Sequence, residues 1–229
     1  FMKLKINNEY NKLKKILLAP VDEIYLEQHN KLMAILSKYN VEIFMAERNV
    51  SAKYQMFIRD PFIVIDDCII ICNMSEKIRQ AEKDMCNDVL NMINCNKRIY
   101  LSDEVFIEGG DVIIHNNYIF VGQNGNRTDE SGLNFIKRKF GNRYRVIPLF
   151  MVNPSEYIPF VHLDCLFNPI SDDTVLIYKD GFTKESFEVV KKIFKNLKKL
   201  LISCCQTHKK SKFLKTIIYN PLQPENINI

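Results

Sequence analysis

The sequence predicts an α/β fold built from repeated ββαβ modules. With 229 residues, of which 47% are hydrophobic and 26% are charged, the chain can bury a substantial core. Three times along the chain, an apolar run passes through a polar turn into a second apolar run, and a stretch with helical spacing and a further apolar strand follow. The unit recurs every 45 to 55 residues, roughly, which is typical of modules that pack against one another.

An incomplete unit opens the chain, because it has a helix between two strands but no hairpin. Its expected elements are a strand over 14–20, a helix over 26–39 and a strand over 41–45. The first complete module follows. Its expected elements are a hairpin over 56–72 that turns at Asp66-Asp67, a helix over 75–94 and a strand over 97–101.

Two further modules repeat this order of elements. The second has a hairpin over 110–121 turning at Asn116-Asn117, a helix over 129–140 and a strand over 144–149. The third has a hairpin over 162–178 turning near 171–173, a helix over 184–197 and a strand over 199–203. We therefore predict one domain over 1–229, with modules at about 13–46, 54–102, 105–150 and 158–203 and a short atypical segment over 204–229.

Polar residues recur at one place in this register, at or just before the first strand of each hairpin. They are Arg59 and Asp60, Glu108, and His162 and Asp164. Equivalent positions in a ring of repeated modules point to a common axis, so these side chains are predicted to converge on one site. Taken singly, each has a structural alternative, namely a local ion pair before a proline, a glycine-rich loop and a structural histidine.

The same residues carry a family resemblance. The segment FIRDPFIV resembles the FTRDP segment of arginine deiminases, EGGDVIIHNNYIFVGQNGNRTDESG resembles their EGGD strand and the turn after it, and HLDCLF resembles their HLD motif. The similarity extends to dimethylarginine dimethylaminohydrolases, agmatine deiminases and amidinotransferases, the guanidine-modifying (pentein) superfamily. It implies an α/β propeller with pseudo-fivefold symmetry around a central pocket.

The resemblance also implies a chemistry. A guanidinium is planar and permanently charged, so carboxylates that accept paired N–H bonds suit it, and the family's carboxylates match Asp60, Glu108 and Asp164. His162 matches the histidine that moves protons during covalent catalysis by a cysteine. Arg127 matches the arginine that meets the substrate's α-carboxylate, and its alternative is a surface arginine paired with Asp129 or Glu130. We expect Arg59 beside the substrate as well, and neither a metal nor a cofactor.

The expected nucleophile departs from the family's pattern. The family places a cysteine near its C-terminus in a glycine-rich segment, whereas residues 204–229 contain no glycine. The fifth module is therefore expected to be incomplete, and Cys204 or Cys205 is the candidate thiol, while Cys165 is expected in the core. The alternatives are a truncated or frame-shifted chain and a natural non-catalytic relative. The expected activity is amidine hydrolysis, with amidino transfer or simple binding of a guanidino compound as alternatives.

Charge and hydropathy indicate which kinds of partner the chain is expected to have. Most of the excess behind the net charge of +5 lies over 191–215, and the lysines over 191–199 fall at helical spacing, which indicates a solvated helix face rather than a nucleic-acid site. The sequence shows no apolar span for a membrane and no signal peptide, so the cytoplasm and reduced cysteines are expected. An open ring exposes strand edges, which favours a homo-oligomer.

Overall fold

The strands are arranged in small sheets that repeat one pattern. A computed structural model describes residues 6–86, 90, 97–152, 161–199, 202–203 and 216–217. In each of three sheets, two antiparallel strands form a hairpin, and a third strand runs parallel to the second. The second strand of every module is therefore the middle strand of its sheet, with the helical stretch connecting the two parallel strands.

The three sheets follow one another along the chain. The first contains β3 (Phe62–Ile65), β4 (Cys68–Ile71) and β5 (Lys97–Tyr100). The second contains β6 (Val112–His115), β7 (Tyr118–Gln123) and β8 (Arg145–Phe150), and the third contains β9 (Phe167–Pro169), β10 (Thr174–Ile177) and β11 (Asn196–Lys199). The predicted turns are confirmed: Asp66 and Asn116 begin two-residue turns with φ angles of 54° and 53°, a conformation that Asp and Asn tolerate.

A parallel pair of strands opens the chain. β1 (Lys15–Leu18) and β2 (Glu42–Met45) are joined by α1 (Leu26–Lys38), in the predicted order. Near the other end, β12 (Ile202–Ser203) pairs with β13 (Thr216–Ile217). The rest of the atypical segment over 204–229 lies outside the described residues.

The other helices are capped by side chains. α2 (Glu130–Phe140) begins after Asp129, whose carboxylate accepts hydrogen bonds from the backbone N–H groups of Ser131 and Gly132. α3 (Lys184–Ile193) begins after Thr183, whose hydroxyl accepts one from Ser186 N–H. Both caps satisfy N–H groups that have no partner inside the helix.

Three predicted elements differ from the structure. The strand expected over 199–203 is Asn196–Lys199, because the helix expected over 184–197 ends at Ile193 and Phe194 is extended. The prediction failed because the lysine-rich run over 195–199 fits the periodicity of a helix and the alternation of a strand equally well. The helix expected over 75–94 begins as a 3-10 helix over Lys77–Cys86, and most of its remainder lies outside the described residues.

The core lies between neighbouring sheets. Ile114 and Val121 of the second sheet pack with Ile63 and Ile70 of the first. Ile113 and Phe120, on the opposite face of the second sheet, join a separate cluster with residues of the third sheet that include Phe167, Val175 and Ile177. Successive residues of a strand point to opposite faces, so the second sheet is buried on both sides. The sheets thus pack against one another in chain order.

The N-terminal segment crosses the turns of three modules. Ile6 forms a bridge with Asp66, and Asn8 forms one with His115. The Tyr10 hydroxyl donates to Asp172, which also accepts from Asn116. This segment therefore links the hairpin ends of all three sheets.

No helix among the described residues has the length and apolarity needed to cross a bilayer.

Candidate active site

Three polar side chains converge from three modules. The distance from His162 Nε2 to Glu108 Oε2 is 2.7 Å, and the distance from His162 Nδ1 to Asp60 Oδ1 is 3.7 Å. All three residues are buried. Each lies in the segment before the first strand of its hairpin, so the structure brings together the residues that the repeated register singled out. We call Asp60, Glu108 and His162 the central triad.

The two glycines after Glu108 make this approach possible. A Cβ atom on Gly109 would lie 2.0 Å from the carbonyl oxygen of Arg59, and one on Gly110 would lie 2.8 Å from the His162 ring. Gly109 N–H also donates to the Asp60 carbonyl at 2.7 Å. The Gly-Gly pair is therefore required because backbones and side chains from three modules meet there.

Glu108 is held in its ionised form. Its carboxylate accepts from the Ser75 N–H and hydroxyl, both at 3.0 Å, as well as contacting His162. Burial alone would raise the pKa of Glu108, but these hydrogen bonds and the charges of His162 and Arg127 leave it below its usual value.

The same contacts favour the cationic form of His162. Burial lowers the pKa of an imidazole, but the hydrogen bond to Glu108 and the negative charges of Asp60, Asp111 and Glu108 outweigh that effect, so the pKa of His162 is raised. Both ring nitrogens face carboxylates. The site therefore contains a buried proton donor beside two acidic groups.

Asp111 connects the elements that carry Glu108 and His162. Its carboxylate accepts from Leu163 N–H at 2.9 Å and from the Thr128 hydroxyl at 2.7 Å. Thr128 in turn accepts from Glu108 N–H at 3.1 Å. Burial raises the pKa of Asp111 to about 7. The sequence analysis included Asp111 in a motif but did not predict this chain of hydrogen bonds, because the bonds join residues that are distant in sequence.

Arg79 is a second group that the sequence did not predict. Its Nη1 atom donates to Asp60 at 2.9 Å and lies 3.7 Å from Glu108 Oε2. Its Nε and Nη2 atoms donate to the Glu82 carboxylate at 2.7 to 3.1 Å. Both residues belong to a polar run whose composition suggests a solvated helix, so only the structure shows that they enter the site.

Arg59 and Asp164 form an ion pair beside the triad. Arg59 Nε lies 3.1 Å from Asp164 Oδ2, and the guanidinium also contacts Glu9 at 3.3 Å and the Val112 carbonyl at 3.2 Å. Burial raises the pKa of Asp164, although the charge of Arg59 partly opposes this. These two predicted substrate-binding residues therefore pair with each other, whereas Asp60 contacts His162 and Arg79.

Arg127 faces the triad rather than the surface. Its Nη2 atom lies 2.6 Å from Glu76 Oε1, and its Nη1 atom lies 3.8 Å from Glu108 Oε1. Among the described residues, Nη1 is buried without a hydrogen-bond partner. Within the described part of the chain, the ion pairs of Arg127 are with Glu76 and Glu108 rather than with Asp129 or Glu130, the partners of the surface alternative. Arg127 is placed to offer a hydrogen bond to an acceptor near Glu108.

Cys68, Cys72 and Cys165 lie in or against the apolar core. Cys72 is fully buried, and burial together with the charges of Glu108 and Asp60 raises its pKa well above the usual value. Cys165 packs against the core of the third sheet, as expected. The candidate nucleophiles Cys204 and Cys205 lie outside the described residues.

The triad has one feature of a metal site. Asp60, Glu108 and His162 each offer a ligand atom, and these atoms lie within 4.8 Å of one another. The guanidinium of Arg79, however, already donates to Asp60 and lies beside Glu108. Its positive charge opposes a divalent cation at the same place.

Comparisons with known proteins find a matching family model and a similar protein. A family model described as "N,N dimethylarginine dimethylhydrolase, eukaryotic" matches residues 3–214. The chain is also 30% identical, over 166 residues, to "Uncharacterized protein YkgA" of Bacillus subtilis (strain 168). That alignment covers 72% of this chain and 55% of the relative, so the matched region spans little more than half of the longer protein.

Solved structures share the fold. A cysteine-to-serine mutant of DDAH from Pseudomonas aeruginosa, complexed with citrulline, matches with a TM-score of 0.70 at 15% identity, over 83% of this chain and 77% of that one. SxtG, an amidinotransferase from Microseira wollei in the saxitoxin biosynthetic pathway, matches with a TM-score of 0.70 at 14% identity, over 85% and 75% of the two chains.

Proposed function

This chain belongs to the eukaryotic N,N dimethylarginine dimethylhydrolase family of the guanidine-modifying pentein superfamily, and from that premise we propose that it is an amidine hydrolase acting on a small guanidino compound. The observation that carries the proposal is the buried contact of 2.7 Å between His162 and Glu108, with Asp60 on the other side of the imidazole ring. A proton donor beside paired carboxylates suits the hydrolysis of a cationic amidine.

The charges around the triad favour a substrate class. Asp60 and Glu108 attract a guanidinium, while Arg127 presents a buried N–H group that lacks a hydrogen-bond partner among the described residues. A site lined by both negative and positive groups suits a ligand that carries both a cation and a carboxylate. Arginine or a methylated arginine is therefore favoured over agmatine, which has no carboxylate.

The proposed reaction proceeds through a covalent intermediate. The thiolate of Cys204 or Cys205 forms a C–S bond to the amidino carbon, and His162 gives its proton to the departing amine as the C–N bond breaks. His162 then takes a proton from water, whose oxygen attacks the alkyl-thiouronium intermediate. The C–S bond breaks, which restores the thiolate and releases a ureido product.

A ring of five modules forms part of the same proposal. Its support is that the sheets pack in chain order and that Asp60, Glu108 and His162 meet at equivalent ends of consecutive sheets.

Turnover assays test the proposal. The protein is incubated with arginine, monomethylarginine, dimethylarginine or agmatine, with and without glycine as an acceptor amine, and ureido product and free amine are measured. We expect ureido product from the amino acids, and His162→Ala should lower turnover by about a hundredfold or more. His29→Ala, a histidine variant on α1 outside the triad, is the matched control.

The other outcomes discriminate between the alternatives. Product that forms only with glycine present would indicate amidino transfer. Turnover that survives in the Cys204→Ser and Cys205→Ser variants would exclude both thiols as nucleophile. If the folded protein binds arginine without turnover, the protein is a non-catalytic binding relative.

A further inference from the structure

Asp111 is a buried carboxyl group that the proposed reaction does not use. The residue is fully buried, and its Oδ1 atom accepts at 2.9 Å from the backbone N–H of Leu163, the residue after His162. Burying a carboxyl group costs free energy that an apolar side chain of similar size would not cost, even when hydrogen bonds offset part of it. Asp111 is therefore better explained by the groups that it binds than by the space that it fills.

Thr128 extends this contact to the segment that carries Glu108. Its hydroxyl donates to Asp111 Oδ2 at 2.7 Å and accepts from Glu108 N–H at 3.1 Å. One hydroxyl group can do both, because it has one donor and two acceptor sites. The backbone at Glu108, in the second module, is thus linked through two buried side chains to the backbone directly after His162, in the third.

Gly122 of β7 leaves the space that this link needs. A Cβ atom at Gly122 would lie 2.7 Å from Asp111 Oδ1 and 2.9 Å from Leu163 Cβ. Both distances are too short for ordinary packing, so a larger residue would push Asp111 away from the Leu163 N–H group. The second sheet therefore has a glycine at the point where the carboxylate reaches the third module.

We propose that Asp111 and Thr128, which we call the positioning pair, set the separation of Glu108 and His162 and so keep the proton on the imidazole. The inference rests on the proposed function, in which His162 gives this proton to the departing amine. The imidazole itself contacts Glu108 and Asp60, so the pair acts through the backbone. A misplacement of about 1 Å can lower a catalysed rate by about a hundredfold.

Thr128→Val tests the pair without changing the charge of the site. It removes the hydroxyl group but leaves every carboxylate and the imidazole in place. We expect the pKa of His162 to fall, because its contact with Glu108 is one of the causes that raise it. Turnover of the amino acid that is hydrolysed in the turnover assays should fall by about tenfold or more, in kcat rather than in KM. Titration of the His162 ring signals by NMR and steady-state kinetics measure the two effects.

Two control variants separate positioning from a general loss of stability. Thr128→Ser keeps the hydroxyl group and should retain the wild-type pKa of His162 and the wild-type kcat. Thr183→Val removes a buried hydrogen bond at the start of α3, where the hydroxyl accepts from Ser186 N–H at 3.2 Å. It should lower the melting temperature and leave the pKa of His162 unchanged.

The possible results distinguish this proposal from the proposed function. An unchanged pKa of His162 and an unchanged kcat in Thr128→Val would overturn the positioning pair and leave the hydrolase activity intact. Loss of both values in Thr128→Ser would also overturn it, because the hydroxyl group would then not be what matters. The pKa is measured without substrate, so it tests the pair even in a protein that shows no turnover.

Wild-type protein provides a test that does not depend on a variant folding. The hydroxyl proton of Thr128, buried and donated to Asp111, should exchange slowly enough with solvent to give its own NMR signal. A hydroxyl proton that exchanges freely would contradict a fixed link between the two modules and would overturn the proposal.

Discussion

Glu108 and His162 stabilise each other's charged forms. Replacing Glu108 by Gln keeps the side-chain shape but removes the negative charge 2.7 Å from the imidazole. The pKa of His162 should then fall, because burial continues to disfavour the cation and only Asp60 and Asp111 oppose it. Titration of the His162 ring signals by NMR measures the shift.

Glu104→Gln is the matched control, because Glu104 is exposed in the same loop. It should leave the pKa of His162 unchanged. If Glu108→Gln raised that pKa or left it in place, the ion pair would not be what holds the proton on His162.

Asp111 should make the folded protein less stable as the pH rises, which is the opposite of the usual effect of a carboxyl group. Its pKa in the folded protein, about 7, lies above the unfolded value of 3.8, so the folded state binds the proton more tightly. The stability that this group contributes is complete below pH 3.8 and is lost as the pH rises towards 7. Asp111→Asn cannot ionise, so its stability relative to the wild type should improve between pH 5 and pH 8.

Urea denaturation at the two pH values measures this difference. Asp173→Asn is a useful comparison, because the half-buried carboxyl of Asp173 has a lowered pKa in the folded protein, so its contribution to stability changes with pH in the opposite direction. A difference between Asp111→Asn and the wild type that did not change with pH would mean that Asp111 has an ordinary pKa.

At the scale of elements, the loop before β6 is fixed by a steric requirement. A Cβ on Gly109 would lie 2.0 Å from the Arg59 carbonyl and 2.4 Å from the Phe62 carbonyl, and backbone cannot move aside cheaply. We expect Gly109→Ala to lower the free energy of unfolding by about 3 kcal/mol or more. Gly125→Ala meets no neighbouring atom and should cost only about 1 kcal/mol, owing to its φ of 77°.

Thermal or urea unfolding of both variants checks this order. Equal losses would show that the loop moves to admit a methyl group and that the Gly-Gly pair is not what brings Glu108 to His162.

Some of these elements and site residues could be predicted from the sequence, and others could not. The hairpins at Asp66-Asp67 and Asn116-Asn117 were predictable because turn residues and strand alternation are local signals. Asp60, Glu108 and His162 were predictable because the repeat gave them equivalent positions. Arg79 and Glu82 were not, since a buried ion cluster and a solvated helix face have the same composition, and the strand Asn196–Lys199 was missed because its lysines also fit a helix.

At the scale of the whole molecule, α1 presents an apolar stripe to solvent. Leu32, Ile35 and Tyr39 are 43%, 51% and 61% exposed, and they follow a spacing of three and four residues that places them on one face. No residue of α1 is buried. Contiguous apolar surface of this kind favours contact with another chain, so the predicted homo-oligomer is expected to use this helix.

Light scattering at micromolar concentration should therefore show a dimer or a larger species. Ile35→Glu should shift the protein towards the monomer, because burying an unpaired charge in such an interface is unfavourable. Asn30→Glu adds the same charge on the opposite face of α1 and should leave the assembly intact. A monomeric wild type would contradict the prediction of a homo-oligomer. An oligomer that Ile35→Glu does not disturb would place the interface elsewhere on the molecule. In either case the triad is independent of the result, since Asp60, Glu108 and His162 all come from one chain.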